Sequence, residues 1–322
     1  MALDQPADLI GNKYEEVELP CSEFVIDEIH KLLWADPKIR SHIQENYGLS
    51  IIPSNFYSNV PSLKEVEESF EYREDGKFSQ SLILFNNKIM LDVLNMLMQY
   101  VYEFNPPKQG NESACKDFFW ENSQFSFSDA MAYYTFIRAY KPRKIVEIGS
   151  GFSTLIAIDA VNKNQTGSIT CIEPFPRDFL ETVNIDLVKK KVQDIASSDV
   201  AKILENGDFL FIDSTHTVKS GSDCLKIYLD LLPSIKKDIF IHVHDIFLPF
   251  AFPKSWVTDL HIYWTEQYLL LALLIDNPKI EILYGSAYHQ EKNSALLEDF
   301  MGGKAIPGGS SFWFKYNGQS IP

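Results

Sequence analysis

Val146-Glu147-Ile148-Gly149-Ser150-Gly151-Phe152-Ser153-Thr154 reads as the end of a strand, a tight turn and the first residues of a helix. Lys144-Ile145-Val146 supplies a short apolar strand run behind a basic lead-in. Gly149 and Gly151 leave out two Cβ atoms where the chain reverses and a ligand approaches the backbone. Ser153 and Thr154 suit the opening of a helix over Leu155 to Val161. The first turn of a helix carries unpaired N–H groups and partial positive charge, which favours a carboxylate or phosphate there.

The spacing is Glu-x-Gly-x-Gly, and the third glycine of the dinucleotide fingerprint is absent, with Thr154 in its place. A second apolar strand run, Ser168-Ile169-Thr170-Cys171-Ile172-Glu173-Pro174, ends in an acid. An acid there accepts both hydroxyls of a ribose, and a glycine turn followed about twenty residues later by a strand-end acid indicates a nucleoside cofactor. These residues resemble the S-adenosylmethionine site of class I methyltransferases. The resemblance implies that Glu147 orients the amino-acid end of the cofactor and that Gly149, Ser150, Gly151, Ser153 and Thr154 surround its sulfonium side. It further implies that Glu173 holds the ribose, with Asp194 and Asp213 completing the cofactor set.

The chain has 322 residues, long enough for one large domain or a standard domain plus a smaller one. Its 45% hydrophobic and 23% charged residues are those of an ordinary globular protein. A net charge of −15 repels phosphate backbones and anionic lipid, which argues against nucleic acid and membrane partners. Cys21, Cys115, Cys171 and Cys224 match no zinc spacing and read as reduced, mostly buried thiols. Met-Ala-Leu-Asp-Gln-Pro at the start has neither a charged leader nor an apolar core, so no signal peptide is expected. The longest apolar run, Tyr268 to Ile275, is too short to span a bilayer. A cytoplasmic location is expected.

Two parts are expected: an N-terminal helical region over 1–125, serving as cap, lid or oligomerisation element, and a Rossmann-like domain over 126–322. In the first, Ser22 caps a helix from Glu23 to Trp34, and further helices cover Pro37 to Tyr47, Leu63 to Phe70 and Asn87 to Phe104. The last is apolar nearly all round and can pair between subunits as readily as pack within one, which leaves a homo-oligomer open. Phe56 to Pro61, with Tyr57, reads as a packed loop or as a lid over substrate. Pro106 to Asn111 reads as a break. In the second part, Ser128 caps a helix over Asp129 to Tyr140 and strand and helix then alternate. Strands are expected at 144–148, 168–172, 187–192, 208–213 and 238–244, and helices at 154–162, 177–183, 197–204, 221–231 and Tyr263 to Ile275. Two closing strands, Ile280 to Tyr284 and Ser311 to Tyr316, form a hairpin-like pair, and Gly302-Gly303 and Gly308-Gly309 are loop hinges before the last. Short apolar strands between helices imply an α/β fold, a doubly wound and mostly parallel sheet covered on both faces. That the sheet has seven strands, the last antiparallel, is what the resemblance implies.

A second constellation lies at two other strand ends. Asp208 to Asp213 is a buried strand ending in an acid, followed by Ser214-Thr215-His216, and Phe240-Ile241-His242-Val243-His244-Asp245 is another. In a parallel sheet both open on the same rim as Gly149 and Glu173. Alternation puts His242 and His244 on one face and Asp245 on the other unless the strand has ended, which makes His242 the weaker candidate. Such a set can deprotonate a hydroxyl through a histidine or hold a divalent cation that acidifies it. Strand-end acids bonded only to backbone N–H groups are the plainer alternative.

Asp213-x-x-His216 with a following His244-Asp245 is similar to the macrolide-sugar O-methyltransferases. That likeness implies His216 as base and Asp213 and Asp245 as magnesium ligands. His244 departs from it by standing where those enzymes have an acid. Imidazole suits iron, manganese or zinc better than magnesium, so either Asp213, His244 and Asp245 hold a different metal or His244 is a second acid/base group. Acceptor contacts are expected from Trp264, Glu266, Gln267 and Tyr57. The function expected is S-adenosylmethionine-dependent methyl transfer to an oxygen of a small molecule. Two other functions fit the same residues: a metal-dependent small-molecule enzyme on this sheet, and a catalytically silent nucleoside-binding protein.

Overall fold

The computed structural model describes residues 23–52, 55–73, 84–113 and 115–319. The expectations for residues 1–20, for Ser22 as a cap and for Cys21 lie outside them. Seven strands form one sheet: β1 (Lys144–Ile148), β2 (Ser168–Ile172), β3 (Asp186–Val188), β4 (Phe209–Ile212), β5 (Asp238–Val243), β6 (Ile280–Gly285) and β7 (Phe312–Asn317). Their order is β3-β2-β1-β4-β5-β7-β6. The first five pair in parallel, and β7 runs antiparallel to both β5 and β6. The order reverses direction between β1 and β4, so ligands are expected outside the carboxyl ends of those strands.

β1, β2 and β4 are buried along almost their whole length, as expected of parallel strands covered by helices on both faces. One face packs against helices 127–140, 152–164 and 87–97 through Leu94, Phe136, Ile156 and Trp313. Trp313 of β7 stacks on Phe136 at 3.9 Å between ring centres. The other face is covered through Val200, Ile227, Leu231 and Leu270.

Several expected elements differ. The helix expected at 129–140 begins at Phe127 after Ser126. Ser128 is buried instead and exchanges hydrogen bonds with Gly308, its N–H donating to the Gly308 carbonyl and its Oγ accepting from the Gly308 N–H. The expected strand 187–192 covers only 186–188, because β3 is an edge strand paired with β2 alone. Helix 177–183 is a single 3-10 turn over 178–181, and helix 87–104 tightens to 3-10 geometry after Leu97. The helix expected over 221–231 runs from Asp223 to Ser234 with a π segment at Ile227–Leu231. β6 and β7 are not a hairpin: helices Ser286–Lys292 and Ser294–Met301 separate them, and Gly302 at φ 56° ends the second.

The chain divides into two compact units, Leu3–Ser69 and Phe70–Pro322. The break thus precedes residues 87–125, which were expected with the N-terminal part. They instead supply Leu97, Phe104, Phe118, Trp120 and Phe125 to the core of the sheet. Met90, Val93, Leu94 and Leu97 of helix 87–97 are buried within this chain. The first unit carries the helices Glu23–Leu33, Pro37–Tyr47 and Leu63–Glu68. Asp36 caps the second, accepting from Lys38 N–H, and Gly48 in the left-handed region ends it. Among the described residues no helix is long and apolar enough to cross a membrane.

Candidate functional site

The glycine turn leaves β1 at the switch in strand order. Gly149 has φ 82°, and an added Cβ would lie 1.7 Å from the carbonyl oxygen of Asp213. The turn is therefore pressed against the end of β4, where Asp213 N–H donates to Ile148 at 2.9 Å. Around Gly151 nothing lies within 4 Å of the missing Cβ. The two glycines do different work: the first admits a neighbouring backbone and the second leaves open space.

Glu147 is fully buried behind the turn. It accepts from Tyr133 Oη at 2.7 Å, from Thr154 Oγ1 at 2.5 Å and from Cys171 Sγ at 3.5 Å. Burial pushes its carboxyl up to about 7, and the three donors hold it back only in part. Thr154 also accepts the Gly151 N–H at 3.2 Å, so Glu147 shapes the turn through Thr154. Ser153 is buried. Ser150 directs its N–H at Glu173, 3.4 Å away, while its buried Oγ has no partner. Glu173, half-buried, also accepts from Phe175 N–H at 2.7 Å. An open glycine, an unpaired buried hydroxyl and a strand-end carboxylate together fit the edge of a nucleoside site. Asp194 is exposed, at the end of the 3-10 turn Val192–Asp194.

Beside this turn Asp213, His216, His244 and Asp245 come together. β5 ends at Val243, and Asp245 adopts φ 56°. The strand has therefore ended before Asp245, which bends to the same cluster as His244. His242 stays in the core, stacked on Trp313 at 4.4 Å with Nε2 paired to Ser311 Oγ at 2.7 Å. His216, also left-handed at φ 55° and only 4% exposed, faces Asp213 Oδ1 at 3.2 Å and Asp245 Oδ2 at 3.5 Å through Nε2. Its Nδ1 pairs with Glu266 Oε2 at 2.8 Å. His244 faces Asp129 Oδ2 at 3.2 Å through Nε2.

Burial alone would lower the pKa of His216, but Asp213, Glu266 and Asp245 outweigh it and push the ring up to about 10. Burial opposes the same change at His244, which Asp245, Asp213 and Asp129 hold well above the usual histidine range. Burial works against Asp213 and Asp245 too, yet the two rings hold both below the usual carboxylate range. One ligand atom each from Asp213, His216 and Asp245 lie within 4.8 Å of one another, and the three are a candidate metal group. His216 thus takes the place in it that the sequence assigned to His244.

The residues expected to touch an acceptor are divided. Trp264 is half-buried with its ring 4.5 Å from that of His216. Glu266 is fully buried behind His216, where it also accepts from Tyr228 Oη at 2.8 Å. Gln267, likewise buried, accepts from Phe247 N–H at 2.7 Å and donates to the Phe250 carbonyl at 3.0 Å, tying down the loop after β5. Tyr57 is exposed within the Leu3–Ser69 unit.

Asp129 was missed. At 2% exposure it accepts from Ser286 Oγ at 2.7 Å, from Ser311 N–H at 2.8 Å and from Ser310 N–H at 2.9 Å besides facing His244. Its only signal in the sequence is an acid in the first turn of a helix, which is common.

The family described as "Methyltransferase domain" matches residues 146–246, from the end of β1 through Asp245. An uncharacterised protein of Archaeoglobus fulgidus is 35% identical over 175 residues, 51% of this chain and 78% of that protein. Among solved structures, the chain is similar to the plantazolicin methyltransferase BpumL in complex with SAH (11% identity, 91% of this chain and 99% of that one, TM-score 0.39). It is also similar to an O-methyltransferase from Bacillus cereus in complex with SAH (12% identity, 74% and 94%, TM-score 0.35). The matched segment holds the glycine turn and both strand ends of the rim cluster, on a sheet of seven strands with its last antiparallel, so that residues 146–246 belong to the methyltransferase domain family and the sheet has the class I methyltransferase fold.

Proposed function

We propose that this chain moves the methyl group of S-adenosylmethionine to an oxygen of a small-molecule acceptor. The observation that carries the reading is the contact of Gly149 with the Asp213 carbonyl, which makes the cofactor turn and the Asp213–His216–His244–Asp245 cluster one continuous rim. Ser150, Gly151 and Glu173 are assigned to the cofactor. Ser150 Oγ and the space at Gly151 take its amino-acid and sulfonium side, and Glu173 takes the ribose. Glu147, Ser153 and Thr154 support that turn from within.

The cofactor supplies an already activated methyl group on a sulfonium. This chain's part is to align the acceptor oxygen with it and to handle one proton. A histidine flanked by carboxylates can take the proton of a hydroxyl as it is methylated, and this is the ground for proposing an oxygen acceptor. Trp264, beside His216, offers an aromatic wall for it.

The test is product formation, read as S-adenosylhomocysteine release, across hydroxylated sugars, phenols and polyketides. His216→Ala is expected to leave cofactor affinity within about twofold and to lower turnover by on the order of 100-fold. Equal losses in both would remove the cluster from the chemistry.

A further inference from the structure

β7 runs antiparallel to β5, with Phe312 opposite Val243. The residues that lead into β7 therefore lie beside the residues that leave β5 for the rim. Ile246 N–H donates to the Ser310 carbonyl at 2.8 Å and continues that contact past the last pair of the two strands. Ser310 is only 5% exposed. Its N–H donates to Asp129 Oδ2 at 2.9 Å, and its Oγ donates to Asp245 Oδ1 at 2.8 Å. Gly309, expected as a loop hinge, has φ 113°, and an added Cβ would lie 2.4 Å from both carboxylate oxygens of Asp129. Only glycine lets the turn come that close.

Two members of the rim cluster are held from behind in this way, and each keeps one atom for the rim. Ser310 takes Oδ1 of Asp245, which leaves Oδ2 facing His216 Nε2 at 3.5 Å and His244 Nδ1 at 3.6 Å. Asp129 takes Nε2 of His244, which leaves Nδ1, without a hydrogen bond, facing Asp213 Oδ1 at 3.5 Å. Asp245 sits at φ 56°, a left-handed conformation that a non-glycine residue keeps only where its surroundings hold it. Fastening helix 127–140 to the sheet needs the N–H groups of Ser310 and Ser311 and the Ser286 hydroxyl on Asp129. It does not need the Ser310 hydroxyl on Asp245 or the Asp129 oxygen on His244, and those are the two contacts that reach the cluster.

We propose that Ser310 and Asp129 are positioning residues for the acceptor side of the rim, Ser310 by fixing the Asp245 carboxylate and Asp129 by fixing the His244 ring. The proposal rests on the reading of this rim as the place where the acceptor hydroxyl meets the methyl group. It carries the working site beyond residues 146–246, to the first turn of helix 127–140 and the turn before β7. Both residues are buried, so each acts through its neighbour rather than on the acceptor. Alignment is most of what methyl transfer from a sulfonium requires of the protein, and a misplacement of about 1 Å costs on the order of 100-fold.

The experiment uses the full chain and compares Ser310→Ala, Asp129→Asn, Asp245→Asn and His244→Gln, together with the pairs Ser310→Ala/Asp245→Asn and Asp129→Asn/His244→Gln. Turnover is read as S-adenosylhomocysteine release on the best acceptor among hydroxylated sugars, phenols and polyketides. S-adenosylhomocysteine affinity, melting temperature and crystal structures are measured alongside. Ser310→Ala removes one oxygen and leaves the N–H bond to Asp129, so it stays informative if Asp129→Asn does not fold. Ser310→Ala and Asp129→Asn should each lower kcat roughly 10- to 100-fold, with the KM for S-adenosylmethionine within about twofold of the parent. Each pair should be no slower than Asp245→Asn or His244→Gln alone, because a residue that acts through another adds nothing once that one is gone. Losses that multiply in the pairs, an unchanged kcat in Ser310→Ala, or losses that follow melting temperature and cofactor affinity would each overturn the proposal. If no acceptor is turned over, the crystal structure of Ser310→Ala decides: Asp245 turned away from His216 supports the proposal, and Asp245 still in place overturns it. A parent that binds neither S-adenosylmethionine nor S-adenosylhomocysteine sinks the methyltransferase assignment, which the structure of Ser310→Ala does not test.

Discussion

Gly149 and Gly151 sit two residues apart in one turn, yet alanine at each should fail differently. At Gly149 the added Cβ would meet the Asp213 carbonyl oxygen at 1.7 Å and its carbon at 2.7 Å. That oxygen is backbone, and Asp213 is held by its own bond to Ile148 and by the pairing of β4 with β1. It cannot swing aside like a side chain. The left-handed φ of 82° adds about 1–2 kcal/mol for any residue with a Cβ, and overpacking adds about 1–3 kcal/mol. The sum is roughly 2–5 kcal/mol, or a fall in melting temperature on the order of 10 °C. At Gly151 the Cβ meets nothing within 4 Å and φ is −177°, extended backbone that any residue adopts. Gly151→Ala should therefore stay within about 0.5 kcal/mol of the parent and lose cofactor affinity instead, by tenfold or more, because its methyl fills the space assigned to the ligand. The assays are thermal unfolding and titration with S-adenosylhomocysteine. A Gly149→Ala protein that melts with the parent, or a Gly151→Ala protein that binds as tightly as the parent, would refute the division of labour.

Three further outcomes are expected. Glu147 has a folded pKa near 7, above its ordinary value of 4.5; the folded state thus holds the extra proton, and the associated stability is present below about pH 4.5 and lost as pH rises through 7. Over that window the parent should lose about 3 kcal/mol relative to Glu147→Gln, measured by denaturant unfolding from pH 4.5 to 8, and a pH-independent difference would contradict it. Tyr133→Phe removes one of the donors to that carboxylate, so its destabilisation should be larger at pH 8 than at pH 5, by about 1 kcal/mol or more in the same assay. Trp313→Ala empties a fully buried position stacked on Phe136 and His242 and should cost about 3–5 kcal/mol with no preference for pH.

What was legible in the sequence was what neighbours in the chain decide. The turn at Gly149, the strand-end acids Glu173, Asp213 and Asp245, and the β/α alternation each depend on residues within one element. Convergence of Asp213, His216, His244 and Asp245 followed from one inference, that parallel strands share a rim. What stayed hidden depends on contacts across the chain. Asp129 meets His244 from a helix 115 residues earlier, and nothing local distinguishes it from any first-turn acid. Glu266 was expected to touch the acceptor because it lies in the stretch that opens the helix after the rim, whereas the fold turns it inward onto His216 and Tyr228. Residues 87–125 read as part of the N-terminal region because the alternation of strand and helix begins only after them. Their aromatic residues nonetheless pack into the sheet's core. The helices of 286–301 were missed between two strand runs that resembled a hairpin.

The measurement that bears most directly on the central claim is calorimetric titration of the full chain with S-adenosylmethionine and S-adenosylhomocysteine, with and without chelator. Binding of one equivalent in the micromolar range that survives chelation is the predicted result, since the residues proposed to hold the cofactor, Ser150, Gly151 and Glu173, are outside the candidate metal group. No binding of either compound under either condition would contradict the methyltransferase account.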